Sequence, residues 1–190
     1  VTSNVLPDGE QVSPKYTCTG DDLSPHIQWS NVPKDTKGFA LIFERPSAVF
    51  YAYGRPFVHW VVYGIPPNIN ELEEALPRTD TLPNGAKQGL NDFENLGYEG
   101  PCPPATGIVY DWVFTVYALD IDVDLSSGAT AIELMSVISD HVLSEGSLKR
   151  KYRSSTDNEQ TGDEEIKKKQ QESNRKKEDV MVFVTPVTED

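Results

Sequence analysis

Hydrophobic and polar positions alternate most regularly between Ile108 and Asp120, IVYDWVFTVYALD. Tyr110, Trp112, Phe114, Val116 and Ala118 fall on one face, and Val109, Asp111, Val113, Thr115 and Tyr117 on the other. A period of two, filled with β-branched and aromatic residues, predicts a strand. Gly100-Pro101-Cys102-Pro103-Pro104 comes just before it. Each proline fixes φ and removes a donor N–H, so these residues form a rigid turn. The turn delivers Tyr110 and Trp112 to the mouth of a sheet on its more apolar face, as a pocket wall or as ordinary core.

Two further runs read as strands. Gly38–Glu44, GFALIFE, is short, apolar and ended by Arg45-Pro46, and Phe57–Ile65, FVHWVVYGI, stops at Pro66-Pro67. In the second, Phe57, His59, Val61 and Tyr63 alternate with Val58, Trp60 and Val62. Apolar residues on both faces predict a central strand. Residues 1–35 are turn-rich, with short pieces around Tyr16, Cys18, Ile27 and Trp29. Residues 66–99 read mostly as loop, with Glu71–Leu76 as one helical turn, and a loop this long is packed or functional. Thr130-Ala131-Ile132-Glu133 fits a capping box. Ala131, Leu134, Met135, Ile138 and Val142 then recur at helical spacing, with Gly146 as the helix stop. Strands and long loops followed by one late helix predict a mainly antiparallel β domain with a helix packed outside.

Composition adds a boundary. The overall hydrophobic fraction of 37% is low, but the deficit sits in residues 154–179, where Ile166 is the single aliphatic residue among runs of charge. This gives a domain over 1–153, a charged, disordered tether over 154–179 and a β-prone end over 180–190. Within the tether, Asp163-Glu164-Glu165 and Lys167-Lys168-Lys169 could also support a transient helix. Val180–Val184, VMVFV, is expected to dock as a strand on a sheet edge. Most of the formal charge of −13 lies in the first 153 residues, and an acidic body repels phosphate backbones, which argues against nucleic-acid binding. No apolar run approaches the roughly 18–20 residues that span a bilayer. The chain opens on Val1 without methionine or a signal-like stretch, so either a segment was removed or the sequence is a fragment. Cys18 and Cys102 read as buried free thiols, with one disulfide between them as the alternative. The expected compartment is cytoplasmic, a secreted or periplasmic setting being kept open.

Five blocks fall in order: Lys15-Tyr16-Thr17-Cys18-Thr19-Gly20, Ser24-Pro25-His26-Ile27-Gln28-Trp29, His59-Trp60-Val61-Val62-Tyr63-Gly64-Ile65-Pro66, Gly100-Pro101-Cys102-Pro103-Pro104, and Phe114-Thr115-Val116-Tyr117-Ala118-Leu119-Asp120. Together they resemble the phosphatidylethanolamine-binding protein family in its bacterial and archaeal-type branch, over residues 1–153. The resemblance implies a large antiparallel sheet packed with a smaller one, and one or two peripheral helices. It also implies a small surface pocket for anionic head groups such as phosphate. Members are mostly lipid or anion binders, or inhibitors and regulators of kinases and proteases, rather than enzymes.

Carried onto this chain, the resemblance lines the pocket with Arg45, His59, Gly100, Cys102, Pro103, Tyr110 and Trp112. Two departures stand out. Where the family usually shows Asp-Pro-Asp-Ala-Pro, this chain has Arg45-Pro46-Ser47-Ala48-Val49, and where it has His-Arg-Tyr, this chain has Tyr110-Asp111-Trp112. A carboxylate holds an ammonium or a histidine proton, and an arginine does neither. If Arg45 points inward, it can bind a carboxylate or phosphate bidentately, with His59 as a second donor, and the site favours a purely anionic ligand. If Arg45 points outward, the pocket is a neutral aromatic dimple.

The leading expectation is therefore a non-enzymatic binding and regulatory module that takes a small anion, with a kinase or protease as protein partner. The alternative is a protein that has lost its ligand, an interaction scaffold or a protease- or kinase-inhibitor-like module that works through its surface or tail. A hydrolase using Cys102 and His59 is the weakest reading. No motif for nucleotide, metal or triad chemistry occurs. His26, His59 and His141 are scattered, so no metal or cofactor is expected.

Overall fold

The computed structural model describes residues 1–8, 12–46, 54–102 and 109–153. The expectations for 154–179 and 180–190, and for Pro103, Pro104 and Ile108, concern positions outside these residues.

Among the described residues, seven strands and one α-helix follow in the order β1 (Ile27–Gln28), β2 (Gly38–Arg45), β3 (Phe57–Ile65), β4 (Glu71–Leu72), β5 (Lys87–Gln88), β6 (Val109–Leu119), α1 (Ala131–Ile138) and β7 (Val142–Arg153). They form a five-stranded sheet in the order β5-β3-β2-β6-β7 and a two-stranded sheet, β1-β4, and the pairings are antiparallel. Phe39, Leu41, Phe43, Trp60, Trp112, Phe114 and Tyr152 turn one face of the large sheet toward Ile27, Trp29, Leu72 and Tyr98 of the small sheet and the loops. On the opposite face, Ala40, Ile42, Val61 and Tyr63 pack with Leu134 and Ile138 of α1. The fold is thus mainly β, a large antiparallel sheet packed with a smaller one and a helix outside.

The alternation along β6 is as expected: Tyr110, Trp112, Phe114, Val116 and Ala118 are buried, and the intervening residues are more open. β3 is interior and buried almost throughout. Its strict alternation is broken, however. Phe43 pairs with Trp60 while the next residue, Glu44, pairs with Val58, so His59 is an extra residue, a β-bulge. The bulge puts His59 on the same side as Trp60 and Val62, whereas Val58 and Val61 face the helix.

Three other expectations are corrected. Glu71–Leu76 is not a helical turn: Glu71–Leu72 pairs with β1, burying Leu72 against Ile27, and Ala75 takes a left-handed φ of 59°. The capping box forms, with Thr130 and Glu133 exchanging hydrogen bonds, but the helix ends at Ile138 and does not run on to Gly146. A short 3₁₀ turn over Ser139–His141 then leads into β7, which pairs along the whole of β6, with Gly146 opposite Val116. Val142 satisfies a helical and a strand period alike, and the open edge of β6 decides between them. Gly146 is no helix stop; a Cβ there would lie 3.1 Å from a Val1 methyl.

Finally, Cys18 and Cys102 are not buried free thiols. They form a disulfide with Cα atoms 5.3 Å apart, and both residues are exposed. The long loop over 66–99 is packed: Leu82, Ala86 and Tyr98 join the core, and buried Gln88 accepts from Trp60 Nε1 at 2.8 Å.

Candidate functional site

Strand register brings four of the expected residues, Arg45, His59, Tyr110 and Trp112, to one end of the large sheet. Arg45 ends β2 opposite Phe57 of β3, and Tyr110 and Trp112 begin the neighbouring strand β6. Along β2, Phe39, Leu41 and Phe43 face the inner core, and the same period turns Arg45 inward. Its guanidinium carbon lies 5.2 Å from the centre of the Tyr110 ring, 5.8 Å from Trp112 and 5.9 Å from Phe57. Of the two orientations the sequence left open, the structure shows the inward one.

His59 forms the opposite wall. Its ring meets Trp112 edge-on at 4.6 Å and lies 5.2–5.4 Å from Phe57, Phe93 and Phe43. The bulge in β3 aims it there. Nδ1 lies 2.8 Å from the Glu99 carbonyl oxygen, and the Glu99 N–H donates to the His59 carbonyl at 3.0 Å. A carbonyl only accepts, so Nδ1 carries the proton. Burial, seconded by the positive charge of Arg45, lowers the His59 pKa from 6.5 to about 4, against the opposing pull of the Glu99 carbonyl. The ring is therefore neutral near pH 7, its one N–H already engaged. This corrects the expected role of His59 as a second donor to an anion.

The donors without acceptors are elsewhere. Among the described residues, Arg45 Nε and Trp112 Nε1 are buried and make no hydrogen bond, as is also true of Trp29 Nε1 elsewhere in the core, and the ion pairs do not include Arg45. The nearby carboxylate of Asp92 is held instead by Arg55, at 2.7 and 2.8 Å, and accepts from the Val58 N–H. Glu44, next to Arg45 in sequence, belongs to the other face of β2, where burial and then Asp92 raise its pKa. An arginine unpaired with any acid among the described residues, in a chain of net charge −13, with an orphan indole N–H beside it, is an arrangement suited to an anion. Each buried donor left unsatisfied costs about 1–3 kcal/mol.

Gly100 follows the Glu99 anchor. Its N–H donates to Asp22 Oδ1 at 2.7 Å, and a Cβ there would stand 2.2 Å from the Tyr16 carbonyl oxygen. Only glycine permits this approach. Cys102 is tied to Cys18 and offers no thiol, which removes the Cys102–His59 hydrolase. Pro103 lies outside the described residues. Sequence reasoning missed Phe57, Glu99 and Phe93, the last 40% exposed. Phe57 could have been found, since a strand opening opposite Arg45 must present its first ring to it.

The family model for phosphatidylethanolamine-binding protein matches residues 2–153. A UPF0098 protein of Methanothermobacter thermautotrophicus is 40% identical over 146 residues, covering 77% of this chain and 93% of the relative. Among solved structures, E. coli YbcL, described as a new member of the mammalian PEBP family, superposes with a TM-score of 0.73 at 30% identity, over 80% of this chain and 96% of that one. The PEBP homolog CT736 of Chlamydia trachomatis gives 0.70 at 30% identity, over 80% and 95%.

Proposed function

We propose that this chain, which belongs to the phosphatidylethanolamine-binding protein family, is a non-enzymatic binding and regulatory protein whose pocket is rebuilt for a purely anionic ligand. One observation carries the reading: Arg45 lies inside an aromatic box, among the described residues has no carboxylate to pair it, and sits beside the orphan N–H of Trp112. An arginine fork matches two oxygens of a phosphate or carboxylate, and the indole N–H supplies a further donor. His59 is neutral near pH 7 and packs edge-on against Trp112, so it adds no charge to the wall.

The chemistry also sets the selectivity. A zwitterionic head group brings an ammonium that needs a carboxylate, and in this box it would meet the Arg45 guanidinium instead. Inorganic phosphate or an alkyl phosphate is expected to bind more tightly than phosphoethanolamine. A phosphorylated protein partner, such as a kinase substrate, would present the same chemistry. The disulfide argues for surroundings where such bonds form, in place of the cytoplasm expected from two lone cysteines. Calorimetric titration with phosphate and with phosphoethanolamine tests the reading: preference for phosphate supports it, and preference for the zwitterion contradicts it.

A further inference from the structure

We infer that the Cys18–Cys102 disulfide is a redox-addressable clasp on the anion site, closed when oxidised and loosened when a dithiol reduces it. The inference rests on the anion-site reading above and adds its regulation.

Chain continuity is the first support. Glu99, which fixes the His59 ring through its carbonyl, is followed at once by Gly100, Pro101 and Cys102. The corner over 100–102 thus follows directly on the anchor of His59. Whatever fixes the corner restrains the His59 wall of the box.

What fixes it is a loop outside either sheet. The Cys18 N–H donates to the Pro101 carbonyl at 3.2 Å, the Gly100 N–H donates to Asp22 at 2.7 Å, and Tyr98 Oη donates to the Tyr16 carbonyl at 2.7 Å. Asp22 is in turn held by Arg78. These bonds position the corner against the 16–22 loop, but the disulfide is the covalent tie, across a sequence separation of 84.

Accessibility is the second support. Both cysteines are exposed, and exposed disulfides are the labile and regulatory ones. A thiolate of an external dithiol attacks one Sγ, breaking the Sγ–Sγ bond and forming a mixed disulfide. The second thiol of the reductant then displaces the protein cysteine. The protein gains two electrons and two protons, ending as two thiols, and the reductant leaves as its cyclic disulfide. Once free, the corner is held by hydrogen bonds alone, and the Glu99 carbonyl gains freedom to leave His59.

The experiment uses the full chain, oxidised, reduced with dithiothreitol, and reoxidised. Two quantities are read: the dissociation constant for inorganic phosphate, and amide exchange over Glu99–Cys102 with the His59 Nδ1–H resonance. Reduction is expected to weaken phosphate binding about fivefold or more, within the usual range of coupling between sites. It should also speed exchange at the corner, and reoxidation should restore both. Phosphate binding by the oxidised protein that persists unchanged after reduction, with exchange also unchanged, overturns the clasp and leaves the anion site standing. Absence of phosphate binding in the oxidised protein overturns the anion site itself. A Cys18→Ser, Cys102→Ser double variant matching the reduced state confirms that the thiols, and not the reagent, are responsible.

Discussion

The Arg45 guanidinium carbon lies 5.2 Å from the centre of the Tyr110 ring, on the inner face of the sheet, and among the described residues it pairs with no carboxylate. A cation stacked on rings is worth about 0.5–2 kcal/mol. Its buried Nε, lacking an acceptor, costs about 1–3 kcal/mol. The two nearly cancel, so the residue contributes little to folding. Arg45→Ala is accordingly expected to leave the melting temperature within a few degrees of the parent, by thermal melts followed by circular dichroism. Arg45→Lys should recover little of any lost phosphate affinity, because an ammonium lacks the fork.

Trp112→Phe separates the indole donor from the ring. The buried, unsatisfied Nε1–H is removed, and a cavity is left where the fully buried indole packed against Phe43 and His59. Stability should fall by about 1 kcal/mol, the cavity being partly offset by the lost orphan donor. Phosphate affinity should fall several-fold, as expected for one lost hydrogen bond of about 1 kcal/mol. Parallel chemical denaturation and calorimetry check the two halves. A variant that keeps its phosphate affinity would place the indole in the core alone.

His59 makes stability depend on pH. Its folded pKa of about 4 lies below the ordinary 6.5, so between these values the unfolded chain binds a proton that the folded chain refuses. Stability contributed by this group is full above pH 6.5 and falls as pH drops toward 4, by at most about 3 kcal/mol at 1.36 kcal/mol per pKa unit. Denaturant midpoints across that window should fall more steeply for the parent than for His59→Gln. Equal slopes in the two proteins would assign the acid sensitivity to other groups.

Gly100→Ala is expected to be strongly destabilising. Its Cβ would meet the Tyr16 carbonyl at 2.2 Å and the Thr17 Cα at 2.8 Å, both backbone atoms that cannot swing aside. Forcing atoms into a packed site costs about 1–3 kcal/mol. Because the residue follows Glu99, the same variant should also disturb the His59 Nδ1–H resonance. An unperturbed resonance would detach the glycine from the site.

Much of this architecture can be read along the chain, and the exceptions share a cause. The β6 alternation is local and survives folding intact, as does the Thr130 capping box. The displacement of His59 onto the Trp60 face is not local: it comes from how β3 pairs with β2, and no period within FVHWVVYGI shows where an extra residue will be placed. The start of β7 at Val142 depends on the edge of β6, distant in sequence. The disulfide depends on bringing residue 102 to residue 18, which two isolated cysteines do not announce. At the site, the residue types are legible, but the direction of Arg45 and the engaged N–H of His59 follow only from register and from the Glu99 carbonyl.

Isothermal calorimetry of inorganic phosphate against the oxidised full chain and its Arg45→Ala variant, at pH 7, tests the inverted charge of the pocket most directly. Saturable one-to-one binding in the parent, weakened at least about tenfold (1.4 kcal/mol) in the variant, is the expected result. Equal heats in the two proteins, or none in the parent at millimolar phosphate, would contradict it.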